Sequence, residues 1–192
     1  MGTDTLTVLS AQPAVFLDRD GVLNEAIIRN GKPDSPCDPG ELIITQGACG
    51  ALEQLKREGF LLIVVTNQPN IARGKTTRAE VDQLNARVAT ILPLDAIEVC
   101  EHDDEDQCEC RKPKPGMILR AQEKFGVNLA RSFMIGDRWR DVEAGRRAGC
   151  RTILVGEGYG EIFPHAPTLK VASLLEAASW IIQQSRSQRE TA

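Results

Sequence analysis

The chain has 192 residues, 42% of them hydrophobic and 26% charged, which is enough for one domain with a sizeable core. A net charge of −4 without a basic stripe speaks against nucleic acid as a partner, and no apolar run approaches the ~20 residues of a membrane span. The opening stretch MGTDTLTVLSAQPAVFLD has no basic segment followed by an apolar one, so a cytoplasmic protein is expected. A monomer is the separate expectation for its assembly.

In chain order, Ala14 to Asp18 (AVFLD) is a short apolar run ending in a carboxylate. Gly47 to Glu58 has helical spacing, with Leu52 and Leu55 on one side, and stops at Gly59. Leu61 to Thr66 (LLIVVT) is apolar without alternation, as in a strand covered on both faces. Thr77 to Ile91 opens with Thr-Arg-Ala-Glu, a capping-box signature, and reads as a helix. A shorter strand over Leu94 to Cys100 precedes the loop EHDDEDQCEC, and a helix starts near Pro115. Phe133 to Gly136 is a strand ending at Asp137, Arg140 to Ala148 a helix closing at Gly149, and Arg151 to Val155 a strand. Leu174 to Gln184 is a helix, and the tail SRSQRETA is expected to fray.

Alternating strands and helices at this spacing predict an α/β fold, a parallel sheet of about five to six strands with helices on both faces. No repeat or linker divides the chain, so one domain over 1–192 is expected, with its core at about 12–184. In such sheets a ligand lies beyond the carboxyl ends of the strands, where Asp18, Thr66 and Asp137 fall.

These residues have the chemistry for phosphoryl transfer. Asp18 at a strand end suits nucleophilic attack, and Asp20 two residues on can act as general acid and then base. A solvated Asp-Gly turn is the competing reading of those two acids. Thr66 and Asn67 project into the same crevice, and Arg111 with Lys112 offers a fork and a point charge to a phosphate. Asp18 and Asp137 are hard oxygen ligands suited to Mg²⁺, and Asp137 could instead cap the following helix.

Six cysteines in a chain this size do not call for disulfides. Cys100-x-His102 and Cys108-x-Cys110 match a closed Cys₃His zinc site, a structural rather than a catalytic metal. A reduced acidic hairpin with incidental thiols is the alternative. Asp103, Asp104, Glu105 and Asp106 are expected at the surface, some as partners of His102, and Cys49 and Cys150 are expected to be buried.

The segments DRDG, TN, RKPKPG and GDRWRD resemble, in order and in kind, the four motifs of the haloacid dehalogenase (HAD) superfamily of phosphohydrolases. The resemblance spans Asp18 to Asp141 and implies a Rossmann-like HAD fold. It implies that Asp18 attacks phosphorus and binds Mg²⁺ through its other oxygen. Asp20 would serve as acid and base while its backbone carbonyl ligates the metal. Thr66 and Lys112 would hold the phosphoryl oxygens, Asp137 would complete the Mg²⁺ site, and Asp141 would assist it or bond to nearby backbone. The stretches 21–65 and 67–111 are largely used up by the elements already placed, which leaves no room for a cap domain.

The zinc loop, 100–110, further resembles the capless, zinc-bearing branch that contains heptose-1,7-bisphosphate phosphatases and related histidinol-phosphatases. That branch implies a small phosphorylated sugar as substrate. The heptose 7-phosphate is the first choice and histidinol phosphate the second, with Arg19, Asn24, Asn67, Arg111 and Arg138 expected as substrate contacts. The chain departs from the branch at TNQPN, where Ser-Gly is usual, and in a short zinc loop. A catalytically quiet scaffold whose zinc loop holds a partner is the non-enzyme alternative. The presence of both Asp18 and Asp20 counts against it.

Overall fold

Every residue of Ala14–Leu17 (β1) is buried, because this run lies at the middle of the sheet with side chains alternating onto two apolar layers. The computed structural model describes residues 11–29 and 31–190. The other strands are Ile27–Arg29 (β2), Lys32–Asp34 (β3), Leu61–Asn67 (β4), Ala96–Cys100 (β5), Phe133–Gly136 (β6), Arg151–Val155 (β7) and Leu169–Val171 (β8). The helices are Ala48–Arg57 (α1), Arg78–Ile91 (α2), Gly116–Phe125 (α3), Trp139–Ala148 (α4) and Leu174–Glu190 (α5).

Six strands form one parallel sheet in the order β5-β4-β1-β6-β7-β8. From β1 the chain runs outward to β4 and β5, then returns to the other side of β1 as β6. The carboxyl ends of β1, β4 and β6 therefore diverge around one crevice, the usual place for a ligand.

Val15, Leu17, Leu62 and Val64 face one layer, packed by Leu52 and Leu55 of α1, Leu84 and Val88 of α2, and Leu174 and Ile181 of α5. Ala14, Phe16, Ile63 and Val65 face the other, against Met117 and Ile118 of α3 and Ala144 of α4. Burying each leucine contributes about 2 kcal/mol. Truncation of Leu55, which is fully buried, would cost about 2–5 kcal/mol once the cavity is included.

Thr77 caps α2 as its sequence requires: its hydroxyl accepts from the Glu80 N–H at 3.2 Å, and its own N–H donates to Glu80 Oε2 at 2.7 Å.

The structure corrects several expectations. The antiparallel hairpin β2–β3 and the edge strand β8 carry no hydrophobic alternation long enough to register in the sequence. Strand β5 begins at Ala96, two residues after the expected start. Cys49 is exposed rather than buried, lying on the outer side of α1 with Glu53 Oε1 3.6 Å from its sulfur; Cys150 is buried as expected. Residues 185–190 do not fray: α5 runs to Glu190, and Arg186 and Arg189 both pair with Glu58 beside α1. The last two residues of the expected frayed tail lie outside the described residues. Among the described residues no helix is long and apolar enough to cross a membrane.

Candidate active site

β1 ends where the Asp18 N–H donates to Ile135 O of β6 at 2.9 Å, so the following carboxylate is fixed over the cleft. Gly21 then turns the chain at φ +89°, and a β-carbon there would lie 1.8 Å from Asp137 Oδ2. Only glycine allows the first loop to approach the strand-end carboxylate so closely. Gly136 is constrained in the same way by Asp141, whose Cγ would lie 2.3 Å from an added β-carbon.

Asp18, Asp137 and Asp141 are all buried and each brings a carboxylate oxygen within 4.8 Å of the others. Lys112 Nζ, itself buried, lies 2.9 Å from Asp18 Oδ1 and 2.6 Å from Asp141 Oδ1. One cation thus faces three acids. Burial, opposed by Lys112 and reinforced by Asp141 and Asp20, pushes Asp18 up to about 7. Burial and repulsion from Asp18 and Asp141 push Asp137 up to about 8. Against burial, Asp141 and Asp18 hold the Lys112 ammonium above its ordinary range.

Asp137 Oδ2 accepts the Tyr159 hydroxyl at 2.8 Å, while its Oδ1 is buried without a hydrogen-bond partner. A buried, unpartnered carboxylate oxygen beside two further acids fits a hard divalent cation. Asp137 is not the cap of α4. Arg138 is the residue at the cap, and Asp141 Oδ2 accepts its N–H at 3.0 Å.

Asp20 accepts from Arg19 Nε and Nη2, Asn24 Nδ2, Ser35 Oγ and Gln68 Nε2, at 2.7–3.1 Å. Although burial opposes it, Arg19, Ser35 and Gln68 hold this carboxyl below its ordinary value. Arg19 and Asn24 are fully buried, so neither meets a substrate as expected. They clamp Asp20 instead, and Arg19 is anchored by Asn85 Oδ1 at 2.7 Å. Thr66 is also buried, its hydroxyl accepting from Gln68 at 2.8 Å. Asn67 pairs its amide with both the N–H and the C=O of Lys112, each at 3.1 Å, and so fixes the lysine backbone.

Around these groups lies a cavity of about 390 Å³ lined by Asp18, Asp20, Asn67, Arg111, Lys112, Asp137 and Arg138. Lys32, Asp34 and Ser35 of the β2–β3 hairpin and the loop after it, with Arg73, Asp104 and Arg140, also line it. Sequence reasoning missed Ser35, Gln68 and Tyr159. The Gln in TNQ was visible there, whereas Ser35 and Tyr159 sit in irregular loops whose path no periodicity gives.

Beside the cavity, Cys100, His102, Cys108 and Cys110 place their ligand atoms within 4.8 Å of one another. The sulfurs are 3.2–3.7 Å apart and His102 Nδ1 is 3.3 Å from Cys110 Sγ. These thiols are free, and the spacing approaches the edge of about 3.8 Å for a tetrahedron with metal–sulfur bonds of ~2.3 Å. Burial and the neighbouring Cys110 push the Cys100 thiol up, whereas hydrogen bonds from Cys110 and the Arg111 N–H outweigh burial at Cys108 and draw it down. Asp104, Glu105 and Asp106 are exposed as expected and Asp103 is half-buried, but two of these acids are paired with arginines. Asp103 forks with Arg73, Asp104 joins Arg111 to Arg140, and His102 offers Arg111 its carbonyl at 3.2 Å.

A parallel sheet that delivers carboxylates from β1 and β6, opposed by a buried lysine, defines a HAD-like hydrolase. The HAD-hydrolase-like family profile matches residues 109–177. A D-glycero-β-D-manno-heptose-1,7-bisphosphate 7-phosphatase of Escherichia coli is 35% identical over 182 residues, covering 88% of each chain. One from Helicobacter pylori is 34% identical over 180 residues, covering 91% of this chain and 99% of that protein. The crystal structure of D,D-heptose 1,7-bisphosphate phosphatase from B. bronchiseptica, complexed with magnesium and phosphate, superposes with a TM-score of 0.76 at 31% identity. It covers 90% of this chain and 99% of that one. The chain belongs to the family of HAD phosphatases that contains these enzymes.

Proposed function

We propose that the chain is a Mg²⁺-dependent phosphomonoester hydrolase that removes the 7-phosphate of D-glycero-β-D-manno-heptose 1,7-bisphosphate. The substrate is carried over from the relatives that share most of the chain's length. The observation that carries the chemistry is the unpartnered Asp137 Oδ1 beside Asp18, with Lys112 Nζ 2.9 Å from Asp18 Oδ1.

In this reading an Asp18 oxygen forms a bond to phosphorus as the bond from phosphorus to the sugar oxygen breaks, and Asp20 gives that oxygen its proton. Asp20 then takes a proton from water, whose oxygen attacks phosphorus, so that phosphate leaves and the Asp18 carboxylate is restored. Five donors on Asp20 favour its ionised form, which suits the second step. The protonated form needed for the first step requires one of them to let go, and Ser35 sits on the loop that leaves the hairpin. Lys112 neutralises charge on the phosphoryl oxygens from a fixed position. The Thr66 hydroxyl accepts from Gln68 and keeps its own proton to donate to them.

Asp18, Asp137 and the Asp20 backbone carbonyl would hold Mg²⁺, which when bound offsets charge on the transferring group. The cysteine–histidine set would hold Zn²⁺ with all four positions filled, a structural clip that fixes the adjoining Arg111 and Lys112. Arg111 and Arg138, both on the cavity wall, remain the expected contacts to substrate. We read the chain as a cytoplasmic, monomeric, single-domain enzyme.

Phosphate release from the heptose bisphosphate, histidinol phosphate and common sugar monophosphates tests the assignment. The heptose bisphosphate is expected to give the highest kcat/KM. A clear preference for histidinol phosphate would overturn it.

A further inference from the structure

On the wall of the cavity a carboxylate of the protein itself sits between two guanidinium groups. Asp104 Oδ1 accepts from Arg111 Nε at 2.8 Å and from Arg140 Nη1 at 2.7 Å, and its Oδ2 lies 3.3 Å from Arg140 Nη2. Next to it Asp103 forks with Arg73 and lies 3.6 Å from Arg111 Nη2. All three arginines line the cavity that also holds Asp18 and Lys112. Arg111 has only a tenth of its side chain exposed, whereas Asp104 has 56%. Arg111 is the buried part of this seat, and Asp104 is its exposed occupant.

Two planar guanidiniums converging on one oxyanion is the geometry by which proteins recognise phosphate and carboxylate. A substrate with a second phosphate, reaching this wall while its first is at Asp18, meets cations already engaged. We propose that Asp104 is an internal counter-anion, seated where the remote phosphate of a bisphosphate would bind, and that with Arg140 it sets selectivity between bisphosphates and monophosphates. A remote phosphate displaces the Asp104 carboxylate into solvent and takes over its hydrogen bonds to Arg111 and Arg140. A monophosphate leaves the internal pair intact. Asp104 follows His102 closely in the clip loop, so the ligand set that positions Lys112 also positions this competitor.

The inference rests on the phosphatase reading, and its test separates the two. The ratio of kcat/KM for heptose 1,7-bisphosphate to that for heptose 7-phosphate is measured in the wild type, Asp104→Asn, Asp104→Glu and Arg140→Gln. Zinc content and thermal midpoint are recorded for each. Asp104→Asn is expected to raise the ratio about three- to fivefold, the size of one partly exposed ion pair. Asp104→Glu, which keeps the charge, is expected to stay near the wild-type ratio, and Arg140→Gln to lower it. An unchanged or lower ratio in Asp104→Asn overturns the inference, since a residue that merely orients the arginines would lower it. A wild type that hydrolyses neither heptose compound overturns the functional reading, and this inference with it.

Discussion

Asp18, Asp137 and Asp141 come from two strand ends and a helix start that are distant in the chain, and only the return of the chain across β1 brings them together. Cys100, His102, Cys108 and Cys110 come from one strand end and the loop behind it. The first group is an imbalance of charge, with three buried acids, one lysine and an oxygen without a partner. The second is four soft ligands with room for one ion and no open position. On the proposed reading, chemistry needs the unbalanced, open cluster, and position needs the closed one. The segment Cys110-Arg111-Lys112 joins them.

The largest expected effect strikes the open cluster alone. Asp18→Asn removes the proposed nucleophile while preserving shape, and turnover should fall by about a thousandfold or more. The far-ultraviolet circular dichroism should be unchanged. Substantial activity in this variant would exclude an aspartyl-phosphate and with it the division of roles between the two clusters.

Cys110→Ser strikes the closed cluster and should reach the open one indirectly. Protein purified without added metal should carry about one zinc per chain, and the variant far less. With the lysine no longer pinned, kcat should drop by about tenfold to a hundredfold, the cost of a misplacement of about 1 Å. Elemental analysis beside kinetics decides the matter. A zinc-free variant with wild-type kcat would show that the clip does not position Lys112.

The same contrast explains what could be read from the sequence. The four proposed zinc ligands lie at one strand end and in the loop behind it, and they are legible by spacing. The strands β1, β4 and β6 and the polar residues at their ends were legible because apolar runs without alternation mark buried parallel strands. Misassigned residues were those whose role depends on which neighbour they face. Arg19 and Asn24, beside Asp20 in sequence, look like substrate contacts until the fold turns both inward. Ser35 and Tyr159 reach Asp20 and Asp137 from irregular loops, and Tyr159 does so from a left-handed backbone conformation at φ +53° that no propensity favours. Asp104 looked like one more solvated acid because its two arginines are supplied by the third and fourth motifs rather than by its own loop.

The smallest expected effect is a pH dependence confined to the carboxylate cluster. From ordinary values of 3.8, Asp18 is raised to about 7 and Asp137 to about 8, so the folded chain retains protons that the unfolded chain has released. For acids raised in this direction, stability is fully present below about 3.8 and is lost as pH climbs through the folded values. Protein in Mg²⁺-free buffer should therefore melt lower at about pH 8 than at about pH 5, by at least about 3 °C, which for a chain of this size corresponds to about 1 kcal/mol. Added Mg²⁺, if these carboxylates are its ligands, should flatten the slope, with its largest stabilisation at the alkaline end. The cysteine–histidine cluster offers soft ligands that do not suit Mg²⁺, so scanning calorimetry in the two buffers isolates the open cluster. Equal slopes with and without Mg²⁺ would mean that these carboxylates are not its ligands, and that the unpartnered Asp137 oxygen serves some other end.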